Sequence, residues 1–449
     1  MADAAAAGRP KATCTGPTAP ARRPRGLAPS AMAAGSPPGG ARRLLAPVTA
    51  ICLFWVSLYL YVPVLAPTAH RLGAGVAGVG LVLGTYGFVQ FLLRIPTGLW
   101  SDRLGTRAPF LVAALLACGA AAVGMGLATG PLALGLFRAV SGLAACGWVA
   151  ITLLFAEFFP VERTAWAFGL VGFLATGSQL AASLAGGLLA QLGGPRAPFL
   201  AAAGAAALGL LVLLASRVSL AAARHGPTLG PDLRERLGVV RERGVVVASS
   251  LSICSHYVAF VTTFGFTPLL AVDRFGASGL ELGVLTVCAG VPSAGAALLG
   301  GRLAATWPAR RSVAAGFTLA AVAAGLVVAA PTLVALDAVA ALGGLGLGLL
   351  GPSLMTTAVQ GVPAERRGSA MGFYQSIYAI GMFGGPALAG WLGSRLGMAG
   401  LFDSTAAVAV LGAVGAWRWL ASTVPAAPGV AGRAGGAEVR PALGPAGRP

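Results

Sequence analysis

Gly98-Leu-Trp-Ser-Asp102-Arg103-Leu-Gly105-Thr-Arg107 is a short, charged, glycine-marked turn between two long apolar runs. Only 10% of the chain is charged, so an aspartate beside two arginines marks a boundary. The flanking runs, at about 76–100 and 108–129, are each long enough to cross a bilayer. A crossing takes roughly 20 mostly apolar residues for about 30 Å of hydrocarbon. The charges therefore belong at a membrane surface, with the turn joining two transmembrane helices.

The rest of the composition agrees. Of 449 residues, 57% are hydrophobic and the mean hydropathy is +0.82, which excludes a water-soluble globule. Backbone polar groups in lipid must be satisfied within the segment, and the runs are too long and evenly apolar for barrel strands, so the predicted class is all-α and polytopic. The net charge of +18 reads as basic loops that hold topology rather than as a nucleic-acid surface. Cys52, Cys118, Cys146, Cys254 and Cys288 lie inside apolar runs and Cys14 in the N-terminal segment, a pattern suited neither to disulfides nor to a metal site. His70, His225 and His256 are scattered, and no phosphate-binding glycine loop occurs, so no enzyme, metal or cofactor is expected.

Residues 1–43 are rich in Ala, Pro, Gly and Arg without apolar periodicity and are predicted to be a disordered cytoplasmic tail, with translation starting at Met1 or at Met32. Apolar runs follow at about 44–66, 76–100, 108–129, 131–156, 165–191 and 197–216, then at 246–271, 280–301, 311–330, 332–359, 367–393 and 398–421. The predicted organisation is a six-helix bundle over 44–216, a cytoplasmic linker over 217–245, a second bundle over 246–421 and a disordered tail over 422–449. With twelve spans both tails face one side; that side takes 26 of the 31 basic residues, Arg94 among them. The other has Arg71, Arg196, Arg274 and Arg395, and Arg138 lies within span four. Basic residues favour the cytoplasm, so both termini are expected there.

One offset relates the two halves. Adding 203 carries Gly80 to Gly283, Gly87 to Gly290, Gly98 to Gly301, Gly187 to Gly390 and Gly194 to Gly397, and repeats Pro-x-Glu-Arg from Pro160 at Pro363. Internal duplication of six spans is the implied origin. The offset fails at Asp102 and Arg103, which map to Ala305 and Thr306, so only the first half keeps the charged turn.

The order Gly98-x-x-x-Asp102-Arg103-x-Gly105-x-Arg107 resembles the loop joining spans two and three of the major facilitator superfamily. The resemblance implies two six-helix bundles that rock about a central site, and a cytoplasmic latch at this loop. In that latch Asp102 meets the start of span eleven, while Arg103 or Arg107 pairs with an acid such as Glu157. Plain topogenic surface charge is the alternative. Leu134-x-x-x-Arg138-x-x-x-Gly142 is similar to a fourth-span motif of the proton-coupled drug exporters, implying a coupling role for Arg138. Burying an arginine costs at least about 2.5–3.5 kcal/mol on insertion scales, so Arg138 is compensated by something or snorkels to the surface. The antiporter glycine signature of span five is imperfect there. A better copy stands in span eleven as Gly372, Gly381, Gly385-Pro386 and Gly390, where close helix packing accounts for it equally well.

Cavity candidates come from helical spacing. Trp55, Tyr59 and Val62 share a face of span one, and His256, Phe260, Thr263, Phe264 and Thr267 a face of span seven. Tyr374, Gln375 and Gln179 are further polar candidates. Asp337 and Asp403 are the carboxylates within spans besides the terminal Glu157 and Glu281, and Asp337 is taken as a coupling candidate. The functional expectation is a monomeric secondary transporter of a small organic solute in the inner (plasma) membrane, working by proton-coupled efflux. Uptake or facilitated passage of an organic anion held by Arg138 is one alternative, and a non-transporting membrane sensor is another.

Overall fold

The structure is a computed structural model that describes residues 40–104, 107–159, 163–216, 238–303, 307–363 and 366–420, with 40–43, 102–103, 164–165 and 301–303 described by backbone alone. Residues 1–39 of the predicted N-terminal tail, the whole predicted C-terminal tail, most of the linker and Gly105 lie outside these residues, and 40–43, expected in the tail, begin the first helix.

The described chain is helical. Span one consists of Gly40–Tyr59 and Val62–Arg71. Val76–Leu104 forms span two, Ala108–Leu127 span three, and Pro131–Cys146 with Trp148–Ala156 span four. Spans five and six are Thr164–Gly193 and Ala197–Ala215. Span seven comprises Arg243–Val261, a π turn at Thr262–Phe266 and Thr267–Phe275. Then come Gly279–Leu303, Ala309–Leu326 and Leu333–Val359 as spans eight to ten, and one long element, Arg367–Trp419. Among the described residues ten helices, broken ones counted whole, are long and apolar enough to cross a membrane. The long element has 53 residues, more than twice one crossing, and leaves helical geometry at Gly397 (φ 72°). Ala309–Leu326 packs between it and Leu333–Val359. Both facts are consistent with twelve spans, the eleventh and twelfth meeting at Gly397.

The 203-residue offset reappears in the backbone. Gly73 and Gly276 have φ of 94° and 63°, and Gly194 and Gly397 have φ of 79° and 72°. Each pair stands 203 residues apart, in a joint where the chain must enter a left-handed conformation that glycine alone adopts without strain. The packing between halves repeats the offset too. Gly80 of span two lies against the Pro386 carbonyl and Gly390 of span eleven. Their counterparts, Gly283 and Gly187, bring span eight against span five in the same way, with a Cβ on Gly283 only 3.0 Å from the Ser183 carbonyl.

These glycine seams lie toward the end of the bundle remote from residues 98–107. Contacts along span two run from Gly80 through Gly84, against Phe383, to Gly87, against Met382. Nearer residues 98–107 the close approach through glycine does not continue. A Cβ placed on Gly98, Gly169, Gly172 or Gly372 meets no heavy atom within 4 Å. The glycine contacts thus seal the two halves together at one end.

Two faces assumed to be continuous are not. Span one is interrupted at Leu60–Tyr61, just before Pro63, so the regular spacing from Trp55 and Tyr59 does not carry through to Val62, which is buried in the core. The π turn in span seven accommodates an extra residue and rotates the helix beyond it. Thr263 and Thr267 accordingly line an apolar cavity within the second half, with Val258, Ala289 and Val339, rather than continuing the face of Phe260.

Candidate functional site between the two halves

The core of the site is Arg138, and its environment starts from a glycine. Gly142, one helical turn on, has no side chain to keep span four from the span-two backbone; a Cβ there would stand 2.6 Å from the Tyr86 carbonyl oxygen. That approach seats Tyr86 under the guanidinium, whose central carbon lies 4.2 Å from the ring centroid. Arg138 is 5% exposed, so it is enclosed and does not snorkel. Its Nη1 donates to Ser141 Oγ at 3.3 Å and to Tyr61 Oη at 3.5 Å, while Nε is buried without a protein partner. Tyr61 is fixed in turn by stacking on Phe199, 5.3 Å between centroids and 6° between planes. Among the described residues no carboxylate pairs with Arg138. A desolvated cation over an aromatic ring gains about 2 kcal/mol, which offsets part of its burial cost but leaves the charge unneutralised.

Around Arg138 runs an aromatic wall that crosses between the halves. Trp148 meets Trp55 edge-on at 4.8 Å and Trp55 meets Tyr59 at 5.7 Å. Tyr59 then meets Phe264 of span seven at 6.0 Å, Phe264 meets Phe260 at 5.2 Å, and Phe260 stacks on Tyr86 at 6.1 Å. Such a wall suits a flat or amphipathic organic solute. Trp55 and Tyr59 thus share one aromatic wall with Phe260 and Phe264.

His256 sits lower, stacked on Tyr378 with centroids 4.0 Å apart and planes within 2°. Its Nδ1 donates to the Ser252 carbonyl at 2.9 Å, since a carbonyl can only accept. Arg94 comes within 5.4 Å of the same Tyr378 ring. It is 5% exposed, a correction to its placement among the basic residues of the membrane surface. Its position on the helix accounts for this: Tyr86, Gln90 and Arg94 follow at i, i+4 and i+8 and face inward together. Gln90 Oε1 accepts from Arg94 Nη1 at 2.8 Å.

The remaining expected residues fall elsewhere. Asp337 has a buried Oδ1 without a partner and forms no ion pair with Arg138. Gly381 and Gly385 abut the span-seven backbone at Ile253 and Tyr257, Pro386 and Gly390 abut span two, and Gly372 meets nothing. At the charged turn Arg107 Nη1 and Glu157 Oε1 form an ion pair with both side chains partly buried. The side chains of Asp102 and Arg103 lie outside the described residues. Spacing along span two contained the signal for Arg94 and Gln90; nothing in the sequence pointed to Tyr61, whose orientation follows from the break beside it.

A two-half helical bundle closed at one end, with a buried arginine and an aromatic wall where the halves meet, has the form of an alternating-access transporter. The sequence profile of the Major Facilitator Superfamily matches residues 48–279 and 249–447, and the chain belongs to that family. It is a multi-pass membrane transporter. It is 34% identical over 179 residues to a tetracycline resistance protein, class E, of Escherichia coli, covering 38% of this chain and 43% of the relative. It is 30% identical over 272 residues to a chloramphenicol resistance protein of Streptomyces lividans, covering 60% and 68%. The chain thus spans less than half of the first relative's length and about two thirds of the second's. A bacterial homologue of the human lysosomal transporter Spinster, solved in an inward-facing, unoccupied conformation, superposes with a TM-score of 0.67 over 85% of this chain and 97% of that one, at 19% identity. That likeness concerns the fold.

Proposed function

We propose that the protein exports a small organic solute in exchange for protons, through rocking of the halves 44–216 and 246–421 about the segment 217–245. It would act as a monomer in the inner (plasma) membrane with both termini in the cytoplasm. The observation that carries this reading is the aromatic wall shared by the two halves beside the buried Arg138, with glycine seams joining the halves at one end. The resistance proteins among its relatives support export and amphipathic cargo. Proteoliposomes with an imposed proton gradient provide the test, using a panel of lipophilic cations, neutral aromatics and organic anions. Gradient-driven flux is expected, and equal flux with and without the gradient would remove proton coupling. Passage of an organic anion is the second reading, favoured by the lack of an acidic partner for Arg138 among the described residues.

Orientation is tested at two exposed positions in a background without native cysteines. Arg241→Cys and Asp273→Cys stand at opposite ends of span seven. An impermeant thiol reagent on intact cells should label position 273 and spare 241; the reverse would invert the topology.

The Arg107–Glu157 pair ties the charged turn to the end of span four, and we assign it to the latch together with Asp102. Glu157→Gln should lower flux severalfold, and Arg107→Glu combined with Glu157→Arg should restore part of it. Equal loss in the single and double variants would leave the pair without a specific role. Asp102→Asn should abolish most flux with insertion intact, because it removes charge at nearly constant volume.

A further inference from the structure

Two arginines, not one, are buried where the halves meet, and the family resemblance at Arg138 says nothing of the second. Arg94 is as enclosed as Arg138, at 5% exposure. Its one hydrogen-bond partner among the described residues, Gln90, is neutral, and its Nε is buried without a partner. No carboxylate among the described residues pairs with it, whereas Arg107, at the surface turn, does have an acid. A buried cation whose donors are only partly used is costly unless an anion completes it.

The surroundings indicate what kind of anion. Beside the guanidinium stand the stacked rings of Tyr378 and His256, with Tyr374 edge-on to Tyr378 at 5.6 Å. The Gln375 side-chain oxygen is also buried without a partner, in the turn of span eleven between Tyr374 and Tyr378. We infer that Arg94, with Gln90, Tyr378 and His256, forms an anion-binding subsite separate from Arg138, and that the cargo carries a carboxylate beside a flat apolar body. That the bound anion is cargo rests on the proposed transport function; the anion site itself does not.

Its place along span two gives the subsite a role. Arg94 lies eight residues from Tyr86, about 12 Å of helix rise, toward the end away from the glycine seams. Gly80, Gly84 and Gly87, on the other side of it, hold span two against span eleven. A solute entering from the end away from the seams therefore reaches Arg94 before Arg138. Bound there, it contacts span two through Arg94 and span eleven through Tyr378, and so bridges the two halves.

The test measures binding to the purified full-length protein in lipid nanodiscs by calorimetry, with 1-naphthoate, its neutral counterpart 1-naphthalenemethanol, and inorganic phosphate as probes. Wild type is expected to prefer naphthoate to the alcohol and to phosphate. Arg94→Gln should weaken naphthoate by at least about tenfold, the loss of one charge-assisted hydrogen bond, and leave the alcohol unchanged. Arg94→Lys should retain an intermediate affinity for naphthoate. Naphthoate binding no tighter than that of the alcohol in wild type overturns the inference even if the variants misfold, and phosphate binding equal to naphthoate overturns the aromatic-carboxylate assignment. An unchanged naphthoate affinity in Arg94→Gln overturns the residue. Arg94-dependent binding without flux of any solute would keep the subsite and remove the transport reading. Flux of other solutes without naphthoate binding would do the opposite.

Discussion

Arg138→Lys is expected to cut gradient-driven flux by about ten- to a hundredfold, the scale of one hydrogen bond to a charged group. A lysine retains the charge but loses the planar fork that lies on Tyr86 while donating to Tyr61 and Ser141. Flux and binding must be measured separately, because they distinguish the two functional readings. If Arg138 organises proton coupling, flux falls while solute affinity holds. If it clamps an acidic group, affinity falls for organic anions and holds for neutral solutes, since a bidentate contact becomes a point charge. Unchanged values in both assays would reduce Arg138 to a structural residue and remove the main support for proton exchange.

Gly80→Val should be comparably severe for a mechanical reason. A Cβ at Gly80 would collide with the Pro386 carbonyl, and backbone cannot move aside as a flexible side chain can. Span two is therefore pushed from span eleven, and the sealed end opens. Gly283→Val should do the same between spans eight and five, because a Cβ there stands 3.0 Å from the Ser183 carbonyl and 3.2 Å from Leu184 Cα. Flux is expected to fall more than about tenfold in either variant, in keeping with interhelical overpacking of several kcal/mol. Spin labels at the exposed positions 71 and 395 should report a longer distance across that end. An unchanged distance with normal flux would show that the seam yields locally and does not govern the closed state.

Most of the helical layout is legible in the sequence because crossing a bilayer imposes a simple rule of length and apolarity. The run expected at 280–301 appears as Gly279–Leu303, and that at 332–359 as Leu333–Val359. Breaks inside spans are governed by local backbone geometry, which periodicity does not register. The interruption at Leu60–Tyr61 and the π turn at Thr262–Phe266 each rotate one half of an expected face. For that reason helical spacing groups Val62, Thr263 and Thr267 with residues they do not accompany. Arg94 is misplaced by sequence for a different reason: it stands four residues before Gly98, and closeness to a charged turn resembles membership of it. The inward register with Tyr86 and Gln90 is present in the spacing, but choosing it requires knowing which face of span two meets the other half. Trp55, Tyr59 and Arg138 share an environment in the structure because spans one and four converge, a tertiary fact outside the reach of helical spacing.

At the sealed end the glycine seams run beside apolar side chains that also cross between the halves, with Leu83 at Gly265, Phe383 at Gly84 and Leu180 at Gly290. Where Gly80 meets Gly390 and Gly187 meets Gly283, backbone lies on backbone, and carbonyls within a helix are already engaged by its own amides. Parting such surfaces breaks weak contacts of the Cα–H···O kind and uncovers apolar side chains buried between the halves, which costs free energy in proportion to the apolar area exposed. A ligand shifts such an equilibrium only by its differential affinity for the two states, so that difference has to match the cost of opening this end. The balance point of the molecule thus rests on how far the apolar contact at this end is offset by whatever occupies the arginines and by the charged turn at the opposite end.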